Sequence, residues 1–241
     1  MDSLTTERLL IKTSQEEFAE ELLAYYSRNR AFFEQYEPVH SPRFYTLDYQ
    51  RASMRYERET MDKHQGMYYY VFRKEAPESV IGTISFSRMR PAPYNSTIFG
   101  YDYDHDHWNR RYASESLRAV VDDVFANCDI HRIEARVMAD NAASIRILEK
   151  LGFVFEGNEY GGVLIGGSFR DHTKPSITSS KSMDETNNDW EEDEDDDWEE
   201  DEDDDCKEDV SIRDAFKDAG KELSSAFKET AGAFKDAFKF K

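Results

Sequence analysis

Asn141-Ala142-Ala143-Ser144-Ile145-Arg146-Ile147-Leu148-Glu149-Lys150-Leu151-Gly152-Phe153 is the stretch on which the reading of this chain turns. Asn141 stands where a helix start needs a side-chain acceptor. Ile145 and Leu148 fall on one face of the residues that follow, and Gly152 is placed to close the helix in the left-handed conformation that side chains resist. Upstream, residues 132–138 alternate Ile133, Ala135 and Val137 as a strand. Before them, 113–126 sets Leu117, Val120, Val121, Val124 and Phe125 at the i, i+3, i+4, i+7, i+8 spacing of a helix lying on a sheet. Residues 97–103 read as another strand, and 108–113 as the compact turn leading into that helix.

Further out, 8–12 suits a short strand, and 16–26 places Phe18, Leu22, Leu23 and Tyr26 at helical spacing. A second helix is expected over 46–61, then strands over 68–73 and 80–87, with Gly66 and Pro77 supplying breaks. Past Gly152, strand character resumes at 153–155 and 163–169, while Pro175 and the run 176–180 argue against any further strand. This order predicts an α/β (α+β) architecture, a mixed central sheet with flanking helices.

Apolar residues recur as far as Pro175, and 176–205 has almost none besides Trp190 and Trp198. The expected organisation is one domain over 1–177, a disordered acidic linker over 178–207 and an amphipathic helix over 208–241. Of the formal net charge of -20, most lies in the tail, where 24 acids face nine bases after residue 175. That balance argues against a nucleic-acid surface. Cys206 sits in the acidic stretch, where a disulfide with Cys128 would staple nothing folded. With acidic Asp2 and Glu7 near the start and no apolar run of signal or membrane-spanning length, the expected location is the cytoplasm.

A strand, a compact turn and a helix N-terminus can hold a diphosphate, because the first N–H groups of a helix are unpaired. Asn141 and Ser144 supply an amide and a hydroxyl one turn apart at the next helix start, which also suits a plain N-cap beside an exposed serine. The residues quoted first, together with His131-Arg132-Ile133-Glu134-Ala135-Arg136-Val137 and Glu156-Gly157, resemble the hallmark of GNAT-superfamily acetyltransferases of the ribosomal-protein alanine N-acetyltransferase (RimJ/RimL) type. The resemblance extends through Thr6-Glu7-Arg8-Leu9, Tyr36-Glu37-Pro38, Ile81-Gly82-Thr83-Ile84, Gly100-Tyr101 and Arg170-Asp171-His172, and covers about residues 4–177.

The resemblance implies a sheet splayed between residues 98–103 and 133–138, with acetyl-CoA as cosubstrate between the parted strands and no covalent enzyme intermediate. The first of these strands, with Tyr101, Asp102 and Tyr103, would polarise the thioester carbonyl through backbone N–H groups. Asn141 would contact the pantetheine arm, and Ser144 would lie near the sulfur as proton donor. The family's phosphate loop, Q/R-x-x-G-x-G/A, falls on Trp108-Asn109-Arg110-Arg111-Tyr112-Ala113, with Arg111 in place of the first glycine. Arg111 either obstructs the diphosphate or substitutes its guanidinium for the lost backbone approach. Glu37 is the candidate general base, its alternative reading being a solvated turn residue. Gly161-Gly162-Val163 lacks the ionisable residue some relatives carry there, which leaves open a water-mediated base or backbone carbonyls. His105 and His107 are expected to be solvated loop residues rather than metal ligands. The acceptor pocket is expected in the loops 32–45 and 88–95.

The implied function is acetyl transfer from acetyl-CoA to a primary amine, with a protein N-terminal α-amine as favoured acceptor. A GNAT-fold binding module disabled by Arg111 and a small-molecule amine acetyltransferase are the rival readings. In the tail, Ile212, Phe216, Leu223, Phe227, Phe234 and Phe238 share one face of a helical projection. Its candidate targets are a protein partner or second copy, a membrane surface as second choice, and the chain's own domain.

Overall fold

Strand alternation sorts the apolar residues onto two faces of one sheet in the computed structural model, which describes residues 3–180. The strands are β1 (Ser3–Thr5), β2 (Leu9–Thr13), β3 (Met67–Arg73), β4 (Ala76–Arg90), β5 (Ser96–Tyr103), β6 (Arg132–Ala135), β7 (Val137–Met138), β8 (Val154–Ile165) and β9 (Ser168–Thr178). Their order is β1-β2-β3-β4-β5-β6-β9-β7, with β8 also on β9. Every pairing is antiparallel except β5 with β6. That parallel pair needs a crossover, supplied by helix α3 (Tyr112–Asn127).

On one face, Tyr70 and Phe72 of β3 and Val80 of β4 bury against Ala19, Leu22 and Tyr25 of α1 (Ala19–Phe33) and Met54 of α2 (Leu47–Asp62). On the other, Tyr69, Val71, Phe86 and Phe99 bury against Leu117, Val120, Val121 and Val124 of α3 and Leu148 and Leu151 of α4 (Ala142–Leu151). Burial of each such side chain contributes about 1.5–3 kcal/mol. Alternation along β3 therefore decides which helix pair each residue meets.

Three expectations are corrected. The strand expected over 163–169 is a hairpin, because Gly166 (φ 58°) and Gly167 (φ 80°) turn the chain between β8 and β9. The one expected over 132–138 is interrupted at Arg136. A further strand does run through Pro175. Pro175 falls between Glu134↔Ser176 and Val137↔Thr173, so neither β6 nor β7 pairs with it, and on the other side it lies opposite Phe155 of β8 just before the register shift there. The acidic run and the helix expected at 208–241 lie outside the described residues. Among the described residues no helix is long and apolar enough to cross a membrane.

Candidate active site at a parting of parallel strands

β5 pairs with β6 only from Ser96↔Arg132 to Phe99↔Ala135. Beyond that point Gly100–Tyr103 keep their bonds to Gly82–Ser85 of β4, while Val137 and Met138 pair with β9 instead. The backbone edge of 100–103 turned away from β4 therefore carries no strand. Openings at the carboxyl ends of parallel strands are where ligands bind in sheets of this kind.

From the open end of β5 the chain turns through 104–111 into α3, and each joint of that turn is held. Tyr103 lays its ring across Gly82, where an added Cβ would come within 2.5 Å of it. Its hydroxyl meets Ser116 Oγ at 2.6 Å, and Ser116 donates to Tyr112 O at 2.7 Å. Trp108 Nε1 donates to Tyr103 O at 2.8 Å. Asn109 (φ 61°) and Arg111 (φ 65°) take left-handed backbone conformations, Arg111 as the residue before α3. Arg111 thus adopts the conformation a glycine would, at a cost of roughly 1–2 kcal/mol, and its side chain is exposed.

Glu115, in the first turn of α3, is already satisfied. It accepts from Thr6 Oγ1 at 2.6 Å and from Arg8 N and Nε at 3.0 and 2.7 Å, while Arg8 Nη1 donates to Arg110 O at 3.1 Å. Burial would raise the Glu115 carboxyl, but these bonds outweigh it and hold its pKa below the usual range. Arg118 donates to Lys150 O and Leu151 O at 2.6 and 3.2 Å, joining α3 to the end of α4. Arg8, Arg111, Arg118 and Lys150 line a depression of about 500 Å³ here, within the size range of small-molecule sites. With Arg8 neutralised by Glu115, three cations and a helix N-terminus face it, an arrangement suited to phosphate.

At the start of α4, Asn141 Oδ1 accepts from Ser144 N at 3.1 Å, and Gly152 (φ 94°) closes the helix. Ser144 Oγ lies 2.7 Å from Tyr101 Oη, so the two sides of the parting are joined by a hydrogen bond. Burial pushes the Tyr101 phenol up to about 12 against the lowering effect of Ser144, which keeps it protonated at neutral pH.

Tyr101 and its neighbour Asp102 point to opposite faces of β5. Asp102 lies opposite Thr83 of β4, on the α1 and α2 face. There its carboxyl meets that of Glu37 from the loop after α1, and His40 Nε2 lies 3.2 Å from Glu37 Oε2. His40 stacks on Phe44, with ring centroids 3.8 Å apart and planes 7° from parallel. Glu37 Oε1 is buried with no hydrogen-bond donor. Burial raises both carboxyls, Asp102 well above its ordinary value with Glu37 adding to the effect. Burial also lowers His40.

Of the residues singled out from sequence, Tyr101 and Ser144 meet across the parting and Asn141 caps α4 beside them, while Arg111 lies in the turn before α3 and lines the cationic depression. Glu37 is not a solvated turn residue, since it lies against Asp102. The side chain of Tyr103 is buried beneath α3 and serves the turn rather than the opening. His105 is not solvated as expected: it stacks on Phe32 at 3.9 Å and its Nδ1 lies 3.2 Å from Asn29 Oδ1. Asp104, His105 and Asp106 bring donor atoms within 4.8 Å of one another, yet Asp104 is paired with Arg28 at 2.7 Å and His105 with Asp106 at 2.9 Å. The loop 88–95 does not border the site, because it joins β4 to the Ser96 end of β5, opposite the parting. Gly82, Ser116, His40 and the meeting of Glu37 with Asp102 were missed. Only Gly82 carried a local signal, a glycine inside a strand pattern, which marks close approach.

A strand pair that parts beside a helix N-terminus, with a hydroxyl pair on one face and carboxyls on the other, suits a site that holds a phosphate-bearing ligand and moves protons. Comparison with known proteins agrees. Residues 8–154 match the model of the acetyltransferase (GNAT) domain family. The chain is 35% identical over 154 residues to the probable N-acetyltransferase YjcK of Bacillus subtilis (strain 168), covering 64% of this chain and 84% of that one. It is 28% identical over 176 residues to the [ribosomal protein uS5]-alanine N-acetyltransferase of Escherichia coli (strain K12), covering 73% and 90%. The crystal structure of ribosomal-protein-S5-alanine acetyltransferase from Vibrio fischeri superposes with a TM-score of 0.72 at 25% identity, covering 75% of this chain and 98% of that one. The chain belongs to the GNAT acetyltransferase family. It is an N-acetyltransferase, and acetyl-CoA is its cosubstrate.

Proposed function

We propose that the enzyme acetylates a protein N-terminal α-amine, of the kind borne by ribosomal proteins, and does so in the cytoplasm. The observation that carries this reading is the division of polar groups between the two faces of β5 at the parting. The cationic depression, Arg111 and the α3 N-terminus would hold the diphosphate of acetyl-CoA, with the backbone of 108–113 following it. Because Arg111 adopts the glycine-like conformation, the loop keeps its shape, which removes the ground for a binding module without donor affinity. Asn141, while capping α4, would border the pantetheine arm, and the free edge of 101–103 would polarise the thioester carbonyl.

The amine must lose a proton before it attacks. Glu37 is the base on the acceptor face, where 32–45 forms the near wall. After attack, Ser144 Oγ donates to the departing sulfur with Tyr101 behind it. A phenol held at about 12 stands some three to four units above a thiol at about 8.5, so transfer from it would be uphill by roughly 5 kcal/mol. The proton that stays on sulfur therefore originates on the amine nitrogen and is relayed through Ser144.

The relatives named as acting on ribosomal proteins support the acceptor class. Incubation of the full chain with acetyl-CoA and a panel of ribosomal-protein N-terminal peptides, polyamines and aminoglycosides, read by mass spectrometry, should give acetylated peptide α-amines. Preferential acetylation of the small amines would overturn the choice of acceptor. The domain is taken to end with β9, near the expected 177. The reading of 178–207 as a disordered linker and 208–241 as an amphipathic helix seeking a protein surface stays a proposal from sequence. It is checked by circular dichroism of the peptide 206–241 with and without vesicles or the domain.

A further inference from the structure

Two carboxyl groups from separate segments meet on the acceptor face, Glu37 from the loop after α1 and Asp102 from β5. Glu37 leaves Oε1 buried without a donor, and Oε2 faces the imidazole of His40 at 3.2 Å. Asp102 is fixed by its place in β5 opposite Thr83. The other ionisable groups acting around this pair are Tyr25 and Tyr26 from α1, Tyr45 beyond the loop, Tyr101 and Tyr103 of β5, Glu57 from α2 and Glu34 at the end of α1. Among the described residues the ion-pair partner of Glu37 is His40, at 3.2 Å. Two half-buried carboxyls in contact, with the His40 imidazole beside them, resist ionising together.

We infer that Glu37 and Asp102 share a single proton, and that this monoanionic pair, reached through Glu37, takes the proton from the acceptor ammonium while His40 passes it outward. Glu37 is then the catalytic residue and Asp102 a positioning residue that tunes it. The inference rests on the acetyl-transfer reading for its substrate and on geometry for the shared proton. The balance closes: one ammonium proton moves to the pair, making it neutral. The freed amine nitrogen forms the bond to the carbonyl carbon, the C–S bond breaks, and a second proton from that nitrogen ends on sulfur. His40 then carries the first proton to solvent and restores the monoanion. The directions of the shifts agree with this scheme. Burial raises Glu37, with its hydrogen bond to Asp102 working against that, while burial and Glu37 together raise Asp102 well above its ordinary value, so the shared proton rests on Asp102 and Glu37 is the anionic partner that accepts from the ammonium. Burial also lowers His40, which favours its neutral, proton-accepting form.

The test is a 13C titration of the full chain carrying side-chain carboxyl labels on Asp and Glu, in the wild type, Asp102→Asn and Glu37→Gln. The wild type should keep one carboxyl signal in the protonated range at pH 7, and both substitutions should abolish it. Wild-type signals that are all ionised at pH 7 would overturn the inference. The companion measurement is the pH profile of kcat/KM. The rising limb should move to higher pH in Asp102→Asn, because Asp102 lowers the Glu37 carboxyl through their hydrogen bond, with a loss of at least tenfold at the optimum, and an unmoved limb would overturn the positioning role. If Asp102→Asn fails to fold, the wild-type and Glu37→Gln titrations still decide the shared proton. A wild type that acetylates no amine would sink the acetyl-transfer reading while leaving the titration to decide the pair.

Discussion

The two faces of β5 at the parting are built in different ways. On the donor face the groups follow one another along the chain: Tyr101, the turn 104–111, the start of α3, then the capped start of α4. On the acceptor face Glu37 and Asp102 are 65 positions apart and meet only because α1 packs over the sheet. At the parting itself the donor-face groups are paired, Tyr101 with Ser144 and Glu115 with Arg8. The acceptor face holds a buried carboxylate oxygen with no donor. A face made of satisfied bonds suits holding a ligand, and one that stores an unsatisfied carboxyl suits moving a proton.

This division is broken or sharpened first by Glu37→Gln, the largest effect. It should lower kcat/KM for the amine by about 10²–10⁴-fold, the range of a positioned base, in steady-state assays. Gly82→Ala comes next and strikes the other face. An added Cβ within 2.5 Å of the Tyr103 ring must push that ring off Ser116, at a cost of about 1–3 kcal/mol in thermal or urea unfolding. Acetyl-CoA affinity should fall with it.

How legible the two faces were in the sequence follows the same line. The capped helix at 141–152, the stripe of α3 and the turn at 108–113 are written in neighbouring residues, so their positions could be read directly. Glu37 could be named but not weighed, because nothing within a few residues of Tyr36-Glu37-Pro38 announces Asp102. His40 and Ser116 were invisible for the same reason. Pro175 misled because its missing N–H counts against a strand only where a neighbour would have bonded it, and the gap between β6 and β7 lies there. The loop 88–95 misled because sequence does not say which end of β5 carries the opening.

Arg111→Gly should have a smaller, two-sided effect. Relief of the left-handed arginine should stabilise the fold by roughly 1 kcal/mol, while loss of the guanidinium should weaken acetyl-CoA binding a fewfold and flatten its salt dependence. Tighter binding would show instead that the arginine obstructs the diphosphate. Smallest is Glu156→Gln, away from both faces. Glu156 is held down to about 2, chiefly by hydrogen bonds from Arg132 and then Ser176. Its folded value is depressed, so its contribution is present above the ordinary carboxylate range near 4.5 and is lost as pH falls towards 2. The pair is solvent-exposed, so the substitution should lower Tm by no more than about 2 °C at pH 7 and leave it unchanged near pH 2.

The central claim is that the faces are separable, donor binding on one and deprotonation on the other. Calorimetric titration of the full chain with acetyl-CoA, in the wild type and in Glu37→Gln, tests it most directly. The account predicts saturable binding with dissociation constants within about twofold of each other, even as the variant loses its turnover. No heat in the wild type, or affinity that collapses along with turnover in Glu37→Gln, would contradict it.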